Sequence, residues 1–119
     1  MIEKKKFKLS IIIPCFNEKS TISEILKKID QSLKNYKISN FEVIVVDDFS
    51  NDGTKEVLKQ LSNKEKVQTY FHDDNLGKGA AIHTALKHIT GDIVIIQDAD
   101  LEYDPFDYNK LLIPFFETN

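Results

Sequence analysis

The 119 residues carry 16 basic and 19 acidic side chains, a formal net charge of -3 and 41% hydrophobic residues. That is apolar material for one ordinary core, and the charge is too evenly balanced to give the cationic face that nucleic-acid phosphates need, so one domain spanning 1–119 is expected and DNA or RNA binding is not. The single cysteine, Cys15, cannot form an internal disulfide or a zinc half-site, which fits a reducing cytoplasmic setting, and no stretch approaches the roughly 20 apolar residues of a membrane-spanning helix.

Along the chain, Lys4-Lys5-Lys6 leads into a short apolar run at 8–13 that Pro14, Asn17 and Glu18 end. The run is too short for a signal peptide and is expected to be a buried strand. Ile22, Ile25, Leu26, Ile29 and Leu33 then recur at helical spacing, with Thr21 and Glu24 placed as a capping box. A second strand is expected at 41–46. Turn residues 50–53 follow, then a short helix carrying Val57, Leu58 and Leu61, and a third strand at 67–71. Ala81, Ile82, Ala85, Leu86 and Ile89 predict a third helix that stops at Gly91, and 93–97 predicts a fourth strand. Asp104-Pro105 opens a fourth helix with Leu111, Leu112, Phe115 and Phe116, which Pro114 should kink. Strands alternating with helices imply an α/β fold with a mostly parallel sheet, and the nearly continuous apolar runs imply helices on both of its faces. The order then stops without the strand that should follow the last helix, so the domain is expected to be truncated.

In such sheets ligands gather beyond the carboxyl ends of the strands, and acidic residues concentrate there. Asp98, Asp100 and Glu102 place three carboxylates within five residues, where their repulsion is costly without a cation. Mg2+ or Mn2+, which takes one or two carboxylates and completes its shell with water and phosphate oxygens, would relieve it and would imply a diphosphate. Solvated loop charge is the plainer alternative. Asp47-Asp48 either caps the next helix or accepts an imino N–H from uracil or guanine, two bases this feature does not distinguish. Glu18 is either a first-turn helix residue or an acceptor for ribose hydroxyls. Gly77-Lys78-Gly79 opens the third helix, where backbone N–H groups and the lysine can meet an anion; it fits neither a Walker A loop nor a dinucleotide-binding turn. His72, His83 and His88 have no ligand spacing and receive no role.

Four segments in order resemble the family-2 glycosyltransferases, most closely the branch of dolichyl- and polyprenyl-phosphate sugar synthases. They are Ser10 through Glu18, Val45 through Thr54, Asn75 through Ala81, and Gly91-Asp92 continuing from Gln97 through Pro105. The resemblance implies a GT-A, Rossmann-like nucleotide-diphospho-sugar transferase fold and a chain that forms its donor-binding part. Pro14, Phe16 and Glu18 would line the nucleoside pocket, with Val46, Asp47 and Asp48 toward the base. Lys78 and Gly79 would lie toward the phosphates. Asp98, Ala99 and Asp100 would be the Asp-x-Asp element facing metal and diphosphate, with Glu102 also reaching the metal. Phe16 stands where many members have tyrosine, losing a hydroxyl and keeping a ring that stacks.

The activity implied is inverting transfer from a nucleoside-diphosphate sugar to polyprenyl phosphate or another glycosyl acceptor, in cell-envelope or glycan synthesis. The catalytic base and acceptor site are expected beyond residue 119. Membrane contact is expected only at the periphery, on the cytoplasmic face, or through further sequence. The alternative is a nucleotide-binding fragment without turnover, prone to self-association through its open sheet edge. A haloacid-dehalogenase-like phosphatase is disfavoured by Glu102, two residues after the second Asp. A receiver domain would leave Pro14 to Glu18 unexplained.

Overall fold

A computed structural model describes residues 7–61 and 67–99. Four strands, β1 (Leu9–Cys15), β2 (Phe41–Asp47), β3 (Val67–Phe71) and β4 (Ile93–Ile96), alternate with three helices, α1 (Ile22–Asn35), α2 (Thr54–Leu61) and α3 (Lys78–Leu86). The strands form one parallel sheet in the order β3-β2-β1-β4. The α/β alternation, the parallel sheet and the two covered faces are therefore as predicted. The fourth helix expected after Asp104-Pro105 lies outside the described residues. No helix among the described residues is long and apolar enough to cross a membrane.

β1 is central and buried along its whole length, so its side chains divide between two cores. Leu9, Ile11, Ile13 and Cys15 face α1 and α2, where they meet Ile22, Ile25, Ile29, Leu33 and Leu58. Ile12 faces α3 together with Ile44 and Val46, against Ala81 and Ala85, whose small side chains let the helix lie close to the sheet. Each large aliphatic side chain buried this way contributes about 1.5–3 kcal/mol. The exposed i,i+4 pairs Lys28–Glu24 and Lys34–Asp30 on α1 contribute only about 0.3–0.5 kcal/mol each.

Several helix ends depart from the sequence reading. Thr21 precedes α1 but makes no side-chain capping bond; its hydroxyl lies instead within reach of the Glu18 carboxylate (2.9 Å) and the Ala99 carbonyl (2.6 Å), so the capping box with Glu24 does not form. α1 ends in a Schellman motif built without glycine. Lys37 takes φ 59, its N–H donates to Lys34 O, and that of Ile38 donates to Leu33 O. α3 stops at Leu86, before the predicted Gly91, and Ile89 packs on the second core from the connection rather than from the helix.

Gly91 has a different task. A Cβ there would lie 2.3 Å from Ser10 Oγ and 2.9 Å from both Lys8 O and Ser10 N. The connection is pinned at this point by the buried Glu42 carboxylate, which accepts from Ser10 Oγ (2.6 Å), Thr90 N–H (2.6 Å) and Thr90 Oγ1 (3.0 Å), with Lys8 Nζ at 3.6 Å. Burial alone would raise the Glu42 carboxyl, but these hydrogen bonds and the Lys8 charge outweigh it and hold it below the usual carboxylate range. The clip joins β1, β2 and the entry to β4.

β4 also corrects an expectation. Its apolar run predicts burial on both faces, yet Val94 and Ile96 are exposed while Ile93 and Ile95 are buried. The cause is that α3 rests on β1 and β2, leaving that face of β4 uncovered among the described residues.

Candidate functional site

The strand order sets where a ligand can enter. The chain steps from β1 to β2 to β3 in one direction and then crosses back to place β4 on the other side of β1, so the connections diverge above the β1–β4 pair. Pairing between these strands ends at Ile12↔Ile96. Pro14 continues β1 past that point; Ile12 and Pro14 share the register parity whose backbone groups face β4, since Ile12 O accepts from Gln97 N–H (2.8 Å). A proline there leaves no N–H unpaired where the strands part.

The loops above this opening are tied to one another. Asn17 N–H donates to Ser50 Oγ (2.9 Å), Asn51 N–H to Asn17 Oδ1 (2.9 Å), and Asp48 N–H to Cys15 O (2.8 Å). Asp52 accepts from Thr54 N–H (3.0 Å) at the start of α2, and from Lys19 N–H (3.3 Å). Two bulky or polar residues here, Asn17 (φ 52) and Phe49 (φ 64), hold left-handed backbone, at a cost of about 1–2 kcal/mol each that the surrounding hydrogen bonds offset. Phe16 and Phe49 are left exposed at the ends of β1 and β2.

The two adjacent aspartates after β2 have different tasks. Asp47 is buried and folds the turn, accepting from Ser50 N–H (3.1 Å) and Ser50 Oγ (2.5 Å). Asp48 is a hub. Its Oδ1 accepts from Leu76 N–H (2.8 Å) and faces His72 Nδ1 (2.8 Å), and its Oδ2 accepts from Gly77 N–H (2.8 Å). His72 Nε2 in turn lies 2.8 Å from Thr84 Oγ1 on α3. Burial would raise the Asp48 carboxyl, but the hydrogen bonds from His72 and the two amides, with the charge of His72, outweigh it and hold it low. Gly77 takes φ 98 immediately before α3, a conformation that an L side chain rarely adopts.

A cavity of about 250 Å³ opens at the β1–β4 crossover, lined by Pro14, Cys15, Phe16, Glu18, Asp48, Lys78, Ala81, Asp98 and Ala99. Seven residues singled out from the sequence, Pro14, Phe16, Glu18, Asp48, Lys78, Asp98 and Ala99, are thus brought together. Val46, Asp47 and Gly79 are not among its lining: Val46 is core beneath α3, Asp47 is spent on its turn, and Gly79 is exposed on the first turn of α3. Asp100 and Glu102 lie outside the described residues. Cys15 and Ala81 are additions, and His72, which received no role, stands directly behind Asp48. Its position just after β3, at a strand end where ligand-facing residues collect, was the available signal.

Asp98 faces a cation within the chain itself, with Lys78 Nζ at 2.5 Å from its Oδ1 across the cavity wall. Among the described residues no group of three or more His, Cys, Asp or Glu could hold a metal ion. Asp98 thus stands as a single carboxylate on this wall, paired with Lys78. Cys15 offers no nucleophile, because burial, with Asp47, Glu18 and Asp52 adding negative charge, pushes its thiol up to about 12. A larger cavity of about 620 Å³ lies away from these groups, lined by Leu26, Lys37, Phe41 and Val67 among others. Val67 directly follows residues outside the description, and the strand-end acids have no part in that cavity.

Comparison with known proteins adds the following. The model of glycosyl transferase family 2 matches residues 10–119. The dolichol-phosphate mannosyltransferase of Pyrococcus furiosus is 35% identical over 105 residues, covering 88% of this chain and 29% of that protein. The structure of a mannosyltransferase from Pyrobaculum calidifontis in complex with GDP-Man and Mn2+ superposes with a TM-score of 0.75 at 29% identity, covering 90% of this chain and 32% of the other. That of S. aureus TarS 1-349 in complex with UDP-GlcNAc gives 0.72 at 32% identity, covering 91% and 30%. The chain spans about a third of the length of each of these relatives.

Proposed function

Because this chain belongs to glycosyl transferase family 2, we propose that residues 1–119 form the donor-binding part of a glycosyltransferase that holds a nucleoside-diphosphate sugar at the β1–β4 crossover. The observation that carries this reading is the convergence of Phe16, Glu18, Asp48, Lys78 and Asp98, drawn from separate stretches of sequence, on one cavity. Each supplies a group that the ligand requires. Phe16 offers a ring to the base, Asp48 an acceptor for a base N–H, Glu18 an acceptor for ribose hydroxyls, and Lys78 a cation for the diphosphate.

The reaction proposed is inverting transfer. An acceptor oxygen attacks the anomeric carbon in line, the bond from that carbon to the diphosphate oxygen breaks, and the nucleoside diphosphate departs with the electron pair. Mg2+ or Mn2+, held by Asp98 with Asp100 and Glu102, would offset the charge growing on that leaving group. A polyprenyl phosphate acceptor brings an oxygen already anionic near neutral pH and needs little help from a base, whereas a hydroxyl acceptor needs one. The mannosyltransferase bound to GDP-Man and Mn2+ supports both donor class and cation, and the dolichol-phosphate relative supports the acceptor class.

Calorimetric titration of UDP and GDP, with MnCl2 and again with EDTA, tests this. The cation is expected to strengthen binding of the preferred nucleotide by about tenfold or more, a difference of about 1.4 kcal/mol. Asp98→Asn and Asp100→Ala should each reduce that gain. Equal affinity in both conditions would contradict a bridging cation.

A further inference from the structure

We propose that His72 is a positioning residue that leaves the Asp48 carboxylate a single open acceptor position, and that the site thereby selects uracil over guanine; the inference rests on the reading of the cavity as a nucleotide site. A carboxylate has about four acceptor positions, two on each oxygen. On Asp48, Oδ1 is filled by His72 Nδ1 and Leu76 N–H, and Oδ2 holds Gly77 N–H, so among the described residues one position remains, on Oδ2. Because an ionised carboxylate only accepts, the His72 proton facing it sits on Nδ1. Nε2 is hydrogen-bonded to Thr84 Oγ1 (2.8 Å), which ties the ring to α3 and fixes the carboxylate plane against the cavity wall.

The bases differ in what they bring to such a group. Uracil presents one N–H, at N3, between two carbonyls, and one open position on one oxygen satisfies it. Guanine presents N1–H and an N2 amino group side by side, which are matched by both oxygens of a carboxylate at once. With Oδ1 already filled, one guanine donor would be left without a partner. Cytosine presents an acceptor at N3 and would meet the carboxylate lone pair directly. GDP-Man and UDP-GlcNAc are both bound by structural relatives, so fold alone does not dictate the base.

The test is titration of the 119-residue chain with UDP, GDP and CDP in MnCl2, following heat or tryptophan-independent mobility. UDP is expected to bind about tenfold more tightly than either GDP or CDP, since an unpaired buried donor or acceptor weakens binding by about 5- to 150-fold. His72→Ala opens a position on Oδ1 and frees the carboxylate to turn, so the UDP-to-GDP ratio should fall to about threefold or less. His72→Asn returns an N–H near the place of Nδ1–H and should restore the ratio, which a merely structural role for the ring would not do. Circular dichroism and urea midpoints identify any variant that fails to fold, in which case the wild-type ranking carries the test. GDP binding as tightly as UDP, with the nucleotide site otherwise intact, overturns the base assignment alone. Failure of all three nucleotides to bind overturns the site as well.

Discussion

Gly91→Ala is expected to destabilise the fold by about 3 kcal/mol, the upper part of the range for forcing a methyl group into filled space. The added Cβ would lie 2.3 Å from Ser10 Oγ, and the backbone atoms Lys8 O and Ser10 N stand at 2.9 Å. A side chain can turn away, but Ser10 N belongs to the central strand and Lys8 O immediately precedes it, so these atoms cannot move without shifting the β1–β4 register. Ser10→Gly in the same chain should therefore recover only part of the loss. It removes the nearest clash and leaves the backbone contacts, and it also deletes the hydroxyl that donates to Glu42. Urea unfolding of the single and double variants measures both effects. An unchanged midpoint for Gly91→Ala would mean that the approach of this connection to β1 is looser than described. Against a total of about 5–15 kcal/mol for a domain of ordinary stability, the expected loss is large.

Asp48→Ala is expected to combine a stability loss of about 3 kcal/mol or more with a loss of nucleotide affinity of about 100-fold. The stability effect comes from Leu76 N–H, Gly77 N–H and His72 Nδ1, which would all lose their acceptor; each buried polar group left unpaired costs about 1–3 kcal/mol. The affinity effect comes from the base acceptor itself and from release of the turn that carries Lys78 into the cavity. The sign of the pH dependence follows. Asp48, Glu42 and Asp52 are all held below their ordinary carboxyl values in the folded chain. Their contribution is therefore fully present above the unfolded carboxyl range, about pH 4, and is lost as pH falls through the lowered folded values. Wild-type urea midpoints should drop on acidification below about pH 4, and Asp48→Ala should show a shallower drop. Equal slopes for the two proteins would show that the Asp48 contacts do not persist in solution.

Much of this architecture was legible in the sequence because its signals are local. The apolar runs located all four strands, and the spacing of Ile22, Ile25, Ile29 and Leu33 located α1 and its buried face. The ends of β1 and β2 read short because Pro14, Cys15 and Asp47 look like loop residues, whereas pairing of Pro14 with Val46 and Cys15 with Asp47 carries the ladder through them. Gly91 reads as a helix stop from sequence alone; its closeness to Ser10, 81 positions away, is a tertiary fact with no local signature. The same holds for Thr21, whose hydroxyl finds Ala99 in place of a cap. In the site, residue types at strand ends identified most of the cavity wall. The division of labour between Asp47 and Asp48 was not legible, since adjacent identical side chains differ only in which way the backbone turns them. His72 carries no local signature, because its partners, Asp48 and Thr84, come from the end of β2 and from α3 rather than from its own neighbourhood.

The central claim is that a nucleoside diphosphate binds at the β1–β4 crossover, and amide-resolved NMR titration of the 15N-labelled chain with UDP and MgCl2 tests it most directly. The account predicts that the perturbed amides will group at Phe16, Glu18, Asp48, Leu76, Gly77, Lys78 and Ala99, around the cavity of about 250 Å³. Perturbation centred on Leu26, Lys37, Phe41 and Val67, which line the larger cavity, or no perturbation by any nucleoside diphosphate, would contradict it.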